Sequence, residues 1–311
     1  MEILLGGRLP PENRPSALTI GNFDGVHRGH RHILQRLKKE AAARGLLSMA
    51  VVFEPQPAEF FARLKGGEPP PRLTPLRDKL RLLREGGCLD AVRVLRFNRD
   101  FSQMSAKMFI DTVLRTQSDT RYLLVGDDFR FGRGREGDFG LLSEQGDFVA
   151  ERTPSILVAD ERASSTAVRR ALSAGRLEEA EQILGHAYVL SGRVTHGLRL
   201  GRDLGCPTAN VRLPPLRYAL NGVFVVEASG GFGRKYGVAS LGRNPTVNDG
   251  SRQKLEVHLF DFNGDLYGER LFVRFLHKLR DEERFDNLAA LGRQIRADMA
   301  AARDWVRLQA V

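Results

Sequence analysis

Up to about His186 the chain alternates short apolar runs with stretches in which apolar residues recur every three or four positions. Leu18 to Ile20, Met49 to Phe53, Ala91 to Leu95 and Tyr122 to Val125 are the runs, and their shortness predicts buried strands. Between them Arg31 to Arg44, Pro75 to Glu85 and Ala106 to Arg115 have helical spacing, as does Leu177 to Leu184 further on. This rhythm predicts a doubly wound parallel sheet, whose ligands sit beyond the carboxyl ends of the strands. After His186 the texture changes. Val189 to Val194, Val223 to Ala228, Tyr236 to Ser240, Lys254 to Phe262 and Leu271 to Leu276 alternate or carry β-branched and aromatic residues, with Gly and Asn-Gly turns between them. An antiparallel sheet or small β-barrel is expected there, and Leu288 to Leu308 predicts a terminal helix packed across one end. The fold class is α/β plus mainly-β, with domains at 1–185 and 186–311.

Composition narrows the partners. The 311 residues suit two domains, and the formal charge of +10 favours anionic ligands. Forty of the 48 basic residues are Arg, scattered apart from Arg130, Arg133 and Arg135 in one Gly-rich loop, so no basic arm for nucleic acid is expected. Cys88 and Cys206 are far apart and lack a CxxC partner, which argues against a disulfide framework or structural zinc and for a reducing cytoplasm. No stretch reaches the roughly 18 apolar residues of a membrane span, and no signal-like start precedes the first strand. No membrane contact and no obligate protein partner are expected. The PPPR patch at Pro69 to Arg72 reads as a stiff loop.

The run GNFDGVHRGH, Gly21 to His30, sits between a predicted strand and an amphipathic helix. Gly21 and Gly25 permit a tight turn with Phe23 and Asp24 inside it, and the helix start brings amide donors and a positive dipole end beside His27 and His30. That combination suits a phosphate gaining charge; a plain turn and a metal pair are the competing readings, the second weakened by the lack of a third His or Cys nearby. Past another strand end, GDDFRFGRGREGD offers Asp128 to a ribose hydroxyl or base amine, or simply as a turn former. Its formal GxGxxG at Gly132, Gly134 and Gly137 opens no clear long helix, which argues against a dinucleotide site. In ASSTAVRRAL, Ser164 or Ser165 can cap a helix that carries Thr166 and Arg169. Plain capping explains the serines but not a cation at the positive helix end, so a second phosphate cradle is the alternative. There is no GK[ST] triplet and no GxSxG elbow.

In the second half, GRVTHGLRLGRDLGCPTAN has the glycines and positive charge of a phosphate-covering loop, including Gly192 and Gly201. Thr208 and Asn210, two apart in an extended stretch, can offer two oxygens to one Mg²⁺, or merely cap a turn. In LEVHLFDF, Leu255, Val257 and Leu259 face one side while Glu256 and His258 face the other; Glu256 is either a solvated carboxylate or a general base.

GNFDGVHRGH, VGDDFRFG and SSTAVR, followed by PTAN, GVAS…NPT, LEVHLFDF…GDLYGE and LRDEERFDN, resemble the motif set of the bacterial bifunctional riboflavin kinases and FMN adenylyltransferases, the FAD synthetases. The likeness spans nearly the whole chain. It implies an N-terminal nucleotidyltransferase domain that converts FMN and ATP to FAD and pyrophosphate, and a C-terminal riboflavin kinase domain that makes FMN from riboflavin and ATP with Mg²⁺. It further implies that His27 and His30 stabilise the α-phosphate, that Asp128 contacts the nucleotide, and that Ser164, Ser165, Thr166 and Arg169 hold the outgoing pyrophosphate. Thr208 and Asn210 would bind Mg·ATP, and Glu256 would deprotonate the riboflavin 5′-hydroxyl. FEPQPAEFF, with Phe53, Pro55, Pro57 and Phe60, is similar to the family's flavin-side loop, and Arg280 and Phe285 fall in the segment resembling its flavin-side flap. Departures are Cys206 where Phe is usual, Arg243-Asn244 where Thr-Arg is common, and Ala163 in place of Ile.

Overall fold

The computed structural model describes residues 1–7, 14–154, 157–158, 161–197, 206–243 and 253–309. It forms two compact units, Met1–Pro70 with Leu76–Ser164, and Pro71–Pro75 with Ser165–Val311.

The first unit is built on a parallel sheet of order β1-β4-β3-β2-β5-β6, with β1 Glu2–Leu5, β2 Ser16–Ile20, β3 Leu47–Glu54, β4 Ala91–Arg96, β5 Thr120–Gly126 and β6 Val149–Thr153. The four central strands coincide with the predicted apolar runs, because a parallel strand covered on both faces reads as an unbroken apolar stretch. The edge strands β1 and β6 escaped the pattern; β6, Val-Ala-Glu-Arg-Thr, is half exposed. Successive residues point to opposite faces, so Ala17, Ala50, Val52 and Leu124 meet Leu34, Leu37 and Ala41 of α1 (Arg28–Ala43) on one side. Leu18, Met49, Val51, Leu123 and Val125 meet Phe109, Ile110, Val113 and Leu114 on the other.

The remaining helices of this unit are α2 (Pro57–Leu64), α3 (Leu76–Glu85), and the short α4 (Arg99–Ser102), α5 (Ala106–Phe109) and α6 (Phe139–Ser143). The helix expected from Ala106 to Arg115 is present, but past α5 it widens into π-helix over Ile110–Gln117. A two-residue hairpin, β7 (Leu157–Val158) and β8 (Glu161–Arg162), precedes the SST motif. Strand β2 lies between β3 and β5, so the chain order reverses beside it. Ligands of doubly wound sheets gather at such a switch point.

The second unit opens with α7 (Ser165–Ser173) and α8 (Leu177–Leu184), the latter ended by Gly185 in the left-handed region. A closed antiparallel barrel follows, of order β10-β13-β12-β11-β14-β9, with β9 Val189–Thr195, β10 Ala209–Arg212, β11 Gly222–Gly230, β12 Gly233–Arg243, β13 Gln253–Leu259 and β14 Arg270–Arg280. The terminal helix, Leu288–Gln309, differs from expectation in where it docks. Met299, Ala302, Trp305 and Val306 pack on the mid-strand residues Val225, Val238 and Leu276 and on Leu279 near the end of β14, so it lies along the wall and not across an end. The end of the PPPR patch is also more than a loop. Arg72 N–H donates to the Arg217 carbonyl at 2.6 Å and Tyr188 Oη–H to the Leu73 carbonyl at 3.0 Å, which makes Pro71–Pro75 part of this unit.

Candidate functional sites: a histidine-capped helix and a polar row on the barrel

His27 is the residue that caps α1. Its Nδ1 accepts the backbone N–H of His30 at 3.4 Å, and the two imidazoles stack with centroids 3.6 Å apart. An accepting Nδ1 puts the ring hydrogen of the neutral imidazole on Nε2. Gly29 between them is closely packed: a Cβ there would lie 3.1 Å from the Ala163 carbonyl and 3.2 Å from the His27 ring. The Ala163 carbonyl is thereby set against the histidine turn. Ser164 follows Ala163 at the position before α7, Ser165 opens that helix, and Thr166 and Arg169 lie in its first turns. Arg169 Nε–H donates to the Pro71 carbonyl at 2.6 Å, which fixes the direction of its guanidinium.

Burial, with charge repulsion from His27 and from the buried Lys79 of α3, holds the His30 imidazole well below its ordinary value of 6.5. At neutral pH this ring is uncharged, and its Nδ1 is buried without a hydrogen-bond partner among the described residues. Lys79 was not foreseen, since one Lys in a helical pattern carries no signal of burial. Phe23 and Val26 anchor the loop in the core shared with Leu82 and Leu83 of α3, and both have positive φ, as does Gly25. Asp24 is buried and Gly21 packs against the Phe23 ring. Asp128 stands exposed just past β5, the strand next to β2, so it and the histidine loop leave neighbouring strand ends at the switch point.

The barrel carries a different arrangement. Asn210 on β10 stands directly opposite Thr195 on β9 and opposite Glu256 on β13, and Glu256 in turn stands opposite Ser240 on β12. Directly opposed residues share a face, so four strands contribute one polar row. Their neighbours Val194, Val211, Leu255 and Ala239 are buried on the other face. Burial pushes the Glu256 carboxyl up from its ordinary range, against the pull of Lys254. Thr208 lies just before β10, half-buried beside the row, and the Asn210 amide occupies the space that a Cβ on Gly197 would fill. Spacing alone had suggested Thr208, Asn210 and Glu256; Thr195 and Ser240 join them only through the register.

A family model for FAD synthetase matches residues 9–167 and one for riboflavin kinase matches residues 184–306. The bifunctional riboflavin kinase/FMN adenylyltransferase of Escherichia coli K12 is 49% identical over 94% of this chain and 93% of its own length. That of Pseudomonas fluorescens is 45% identical over 95% and 94%. The chain belongs to the bifunctional riboflavin kinase/FMN adenylyltransferase family. Among solved structures, one described as a macrolide-efflux protein from Streptococcus pneumoniae superposes with a TM-score of 0.79 at 27% identity, covering 98% of this chain and all of that one.

On the FAD synthetase half, FEPQPAEFF is not the continuous loop that was expected. Phe53 is the penultimate residue of β3 and lies in the core, Pro55 follows the strand, and Pro57 opens α2, whose start is closed by a capping box between Gln56 and Glu59. Proline at the first helical position loses no hydrogen bond, which is why the segment folds as a helix. Phe53 and Phe60 each pack edge-on or tilted against Phe97, which also meets Phe61 and Phe101. Gly132 and Gly137, from the formal GxGxxG, are packing glycines: a Cβ at the first would strike the start of α5 and at the second the Phe131 ring.

On the riboflavin kinase half, Gly192 lies inside the β9 ladder opposite Leu271, with the Arg212 carbonyl where a Cβ would be. Its smallness serves strand approach. Gly201 lies outside the described residues. Arg280, expected on the flavin side, is engaged by Asp298 of the terminal helix through bonds of 2.8 to 3.1 Å, and the half-buried Phe285 ring sits 5.7 Å from its guanidinium. Asp298 is buried and also accepts from Gln294. The Cys206 thiol, in place of the usual Phe, is buried and pushed up to about 11, an unreactive group.

Proposed function

We propose that the two family activities run at these two sites, with 1–185 responsible for adenylyl transfer and 186–311 for riboflavin phosphorylation. The observation that carries the reading is the register of Asn210 against Glu256, which puts a carboxylate beside neutral oxygen donors on one barrel face. Glu256 takes the proton of the riboflavin 5′-hydroxyl, the oxygen attacks the γ-phosphorus of ATP, and ADP leaves with FMN formed. Its raised proton affinity, from burial, suits a group that must accept a proton. Thr208 and Asn210 supply hard, neutral oxygens that fit Mg²⁺. Among the described residues no three His, Cys, Asp or Glu converge as a metal site, so the negative charge for the ion would come from the nucleotide. When bound, Mg²⁺ supplies charge neutralisation to the phosphates.

In the first unit an FMN phosphate oxygen attacks the α-phosphorus of a second ATP, and pyrophosphate leaves. No protein nucleophile is required. His27 donates from Nε2, the neutral His30 and the helix N-terminus add hydrogen bonds, and Ser164, Ser165, Thr166 and Arg169 hold the leaving group. Asp128 contacts the nucleotide. Phe53, Pro55, Pro57 and Phe60 border the flavin here; at the kinase site Phe285, steadied by Arg280, does so. The free thiols of Cys88 and Cys206, together with a chemistry confined to small molecules, support a cytoplasmic enzyme that works without a nucleic-acid, membrane or protein partner. No helix of the described residues is long and apolar enough to cross a membrane. The test is to incubate the pure chain with riboflavin, ATP and Mg²⁺ and separate the flavins by chromatography. FMN and then FAD should appear, and His27→Ala should stop at FMN; FAD formation at the normal rate in that variant would end the histidine assignment.

A further inference from the structure

The segment that carries Thr208 lies just outside the barrel ladder. β10 begins at Ala209, which stands opposite Val257, and Pro207 has no N–H to give to a neighbouring strand. Side chains hold it instead. Cys206 is buried beside it, and the Nδ1 of His258 lies 2.9 Å from the Pro207 carbonyl. A carbonyl only accepts, so Nδ1 carries the hydrogen. His258 comes two residues after Glu256 on the same strand, and therefore on the same face.

We propose that His258 is a positioning residue for the nucleotide side of the kinase reaction: its bond to the Pro207 carbonyl fixes the peptide that aims the Thr208 hydroxyl toward Asn210 and Glu256. The inference rests on the kinase reading of the polar row. Its physical basis is that Thr208 has no ladder bonds of its own to set its direction, while Mg²⁺ demands near-octahedral oxygens at short, fixed distances. A displacement of about 1 Å at such a site costs on the order of a hundredfold in rate. His258 needs no contact with substrate to act in this way.

Three variants separate this role from simple packing. His258→Phe keeps a ring and removes the donor, His258→Asn places an N–H near the position of Nδ1, and His258→Gln places it one carbon further out. The KM values for Mg·ATP and for riboflavin are measured separately, and Mg·ADP binding is titrated calorimetrically without riboflavin. His258→Phe and His258→Gln should raise the Mg·ATP KM and the Mg·ADP Kd about tenfold, the weight of one well-made hydrogen bond, with riboflavin KM unchanged. His258→Asn should fall within about threefold of the parent, and conversion of FMN to FAD should be the same in all. Equal behaviour of the Phe and Asn variants, or a loss confined to riboflavin KM, overturns the proposal. If the parent binds Mg·ADP but phosphorylates no riboflavin, the kinase reading has failed while the titration still decides His258. If Mg·ADP does not bind the parent, both fall.

Discussion

The histidine site and the glutamate site solve the same electrostatic problem by opposite routes. At the first, His27, Gly29 and His30 lie within four residues, and one helix start supplies the donors, the spacing and the stacking. At the second, Thr195, Asn210, Glu256 and Ser240 come from four strands of a barrel and share a face only because the register aligns them. A site made by local geometry should tolerate change elsewhere in the chain. One made by register should be lost to any change that slips a strand.

The largest test of that contrast is Glu256→Gln. It should cut FMN formation by about 10² to 10⁴, the range for loss of a general base, and leave FMN-to-FAD conversion intact. It should also make the barrel slightly more stable at neutral pH, because burial disfavours the ionised carboxylate. An unchanged rate of FMN formation would remove Glu256 as the base. Next comes Gly192→Ala, whose Cβ would meet the Arg212 carbonyl and lie 2.8 Å from Val211 Cγ1. Chemical denaturation should show a loss of about 1–3 kcal/mol, with Mg·ATP KM unchanged in the folded fraction. A raised KM without loss of stability would return Gly192 to the nucleotide site.

The smallest expected effect concerns His30. Its proton affinity is lowered in the folded chain, so below the unfolded value of about 6.5 the unfolded state binds a proton that the folded state refuses. Stability from this group is present above that pH and is lost on acidification, at no more than about 1.4 kcal/mol per pH unit. Denaturation midpoints of the parent should therefore drop more steeply than those of His30→Gln between neutral and mildly acid pH. Parallel profiles would mean that the ring is not held neutral.

Much was legible beforehand where the physics is local. Central strands buried on both faces advertise themselves as apolar runs, and the glycines and histidines of the first site are neighbours in the chain. Edge strands β1 and β6 were not legible, because an edge need not be apolar on either side. Nor was the second half of the flavin-side segment, where Pro57 starts a helix and does not continue a loop. Asp298 was invisible too, a single acid in a helical pattern that buries itself to hold Arg280. The family resemblance named the chemistry of both halves; it did not say which residues pack and which reach a ligand.

Sequence by itself determined the two-part architecture, the histidine-bearing helix start and the candidate carboxylate, since each follows from periodicity, glycine placement or the company of nearby residues. Tertiary structure alone decided that Thr195 and Ser240 share a face with Glu256, that Gly192 serves strand packing, that the terminal helix lies along the barrel wall, and that His258 reaches Pro207. The reason is separation along the chain. Contacts between residues tens of positions apart depend on strand register and barrel closure, and no local pattern encodes either.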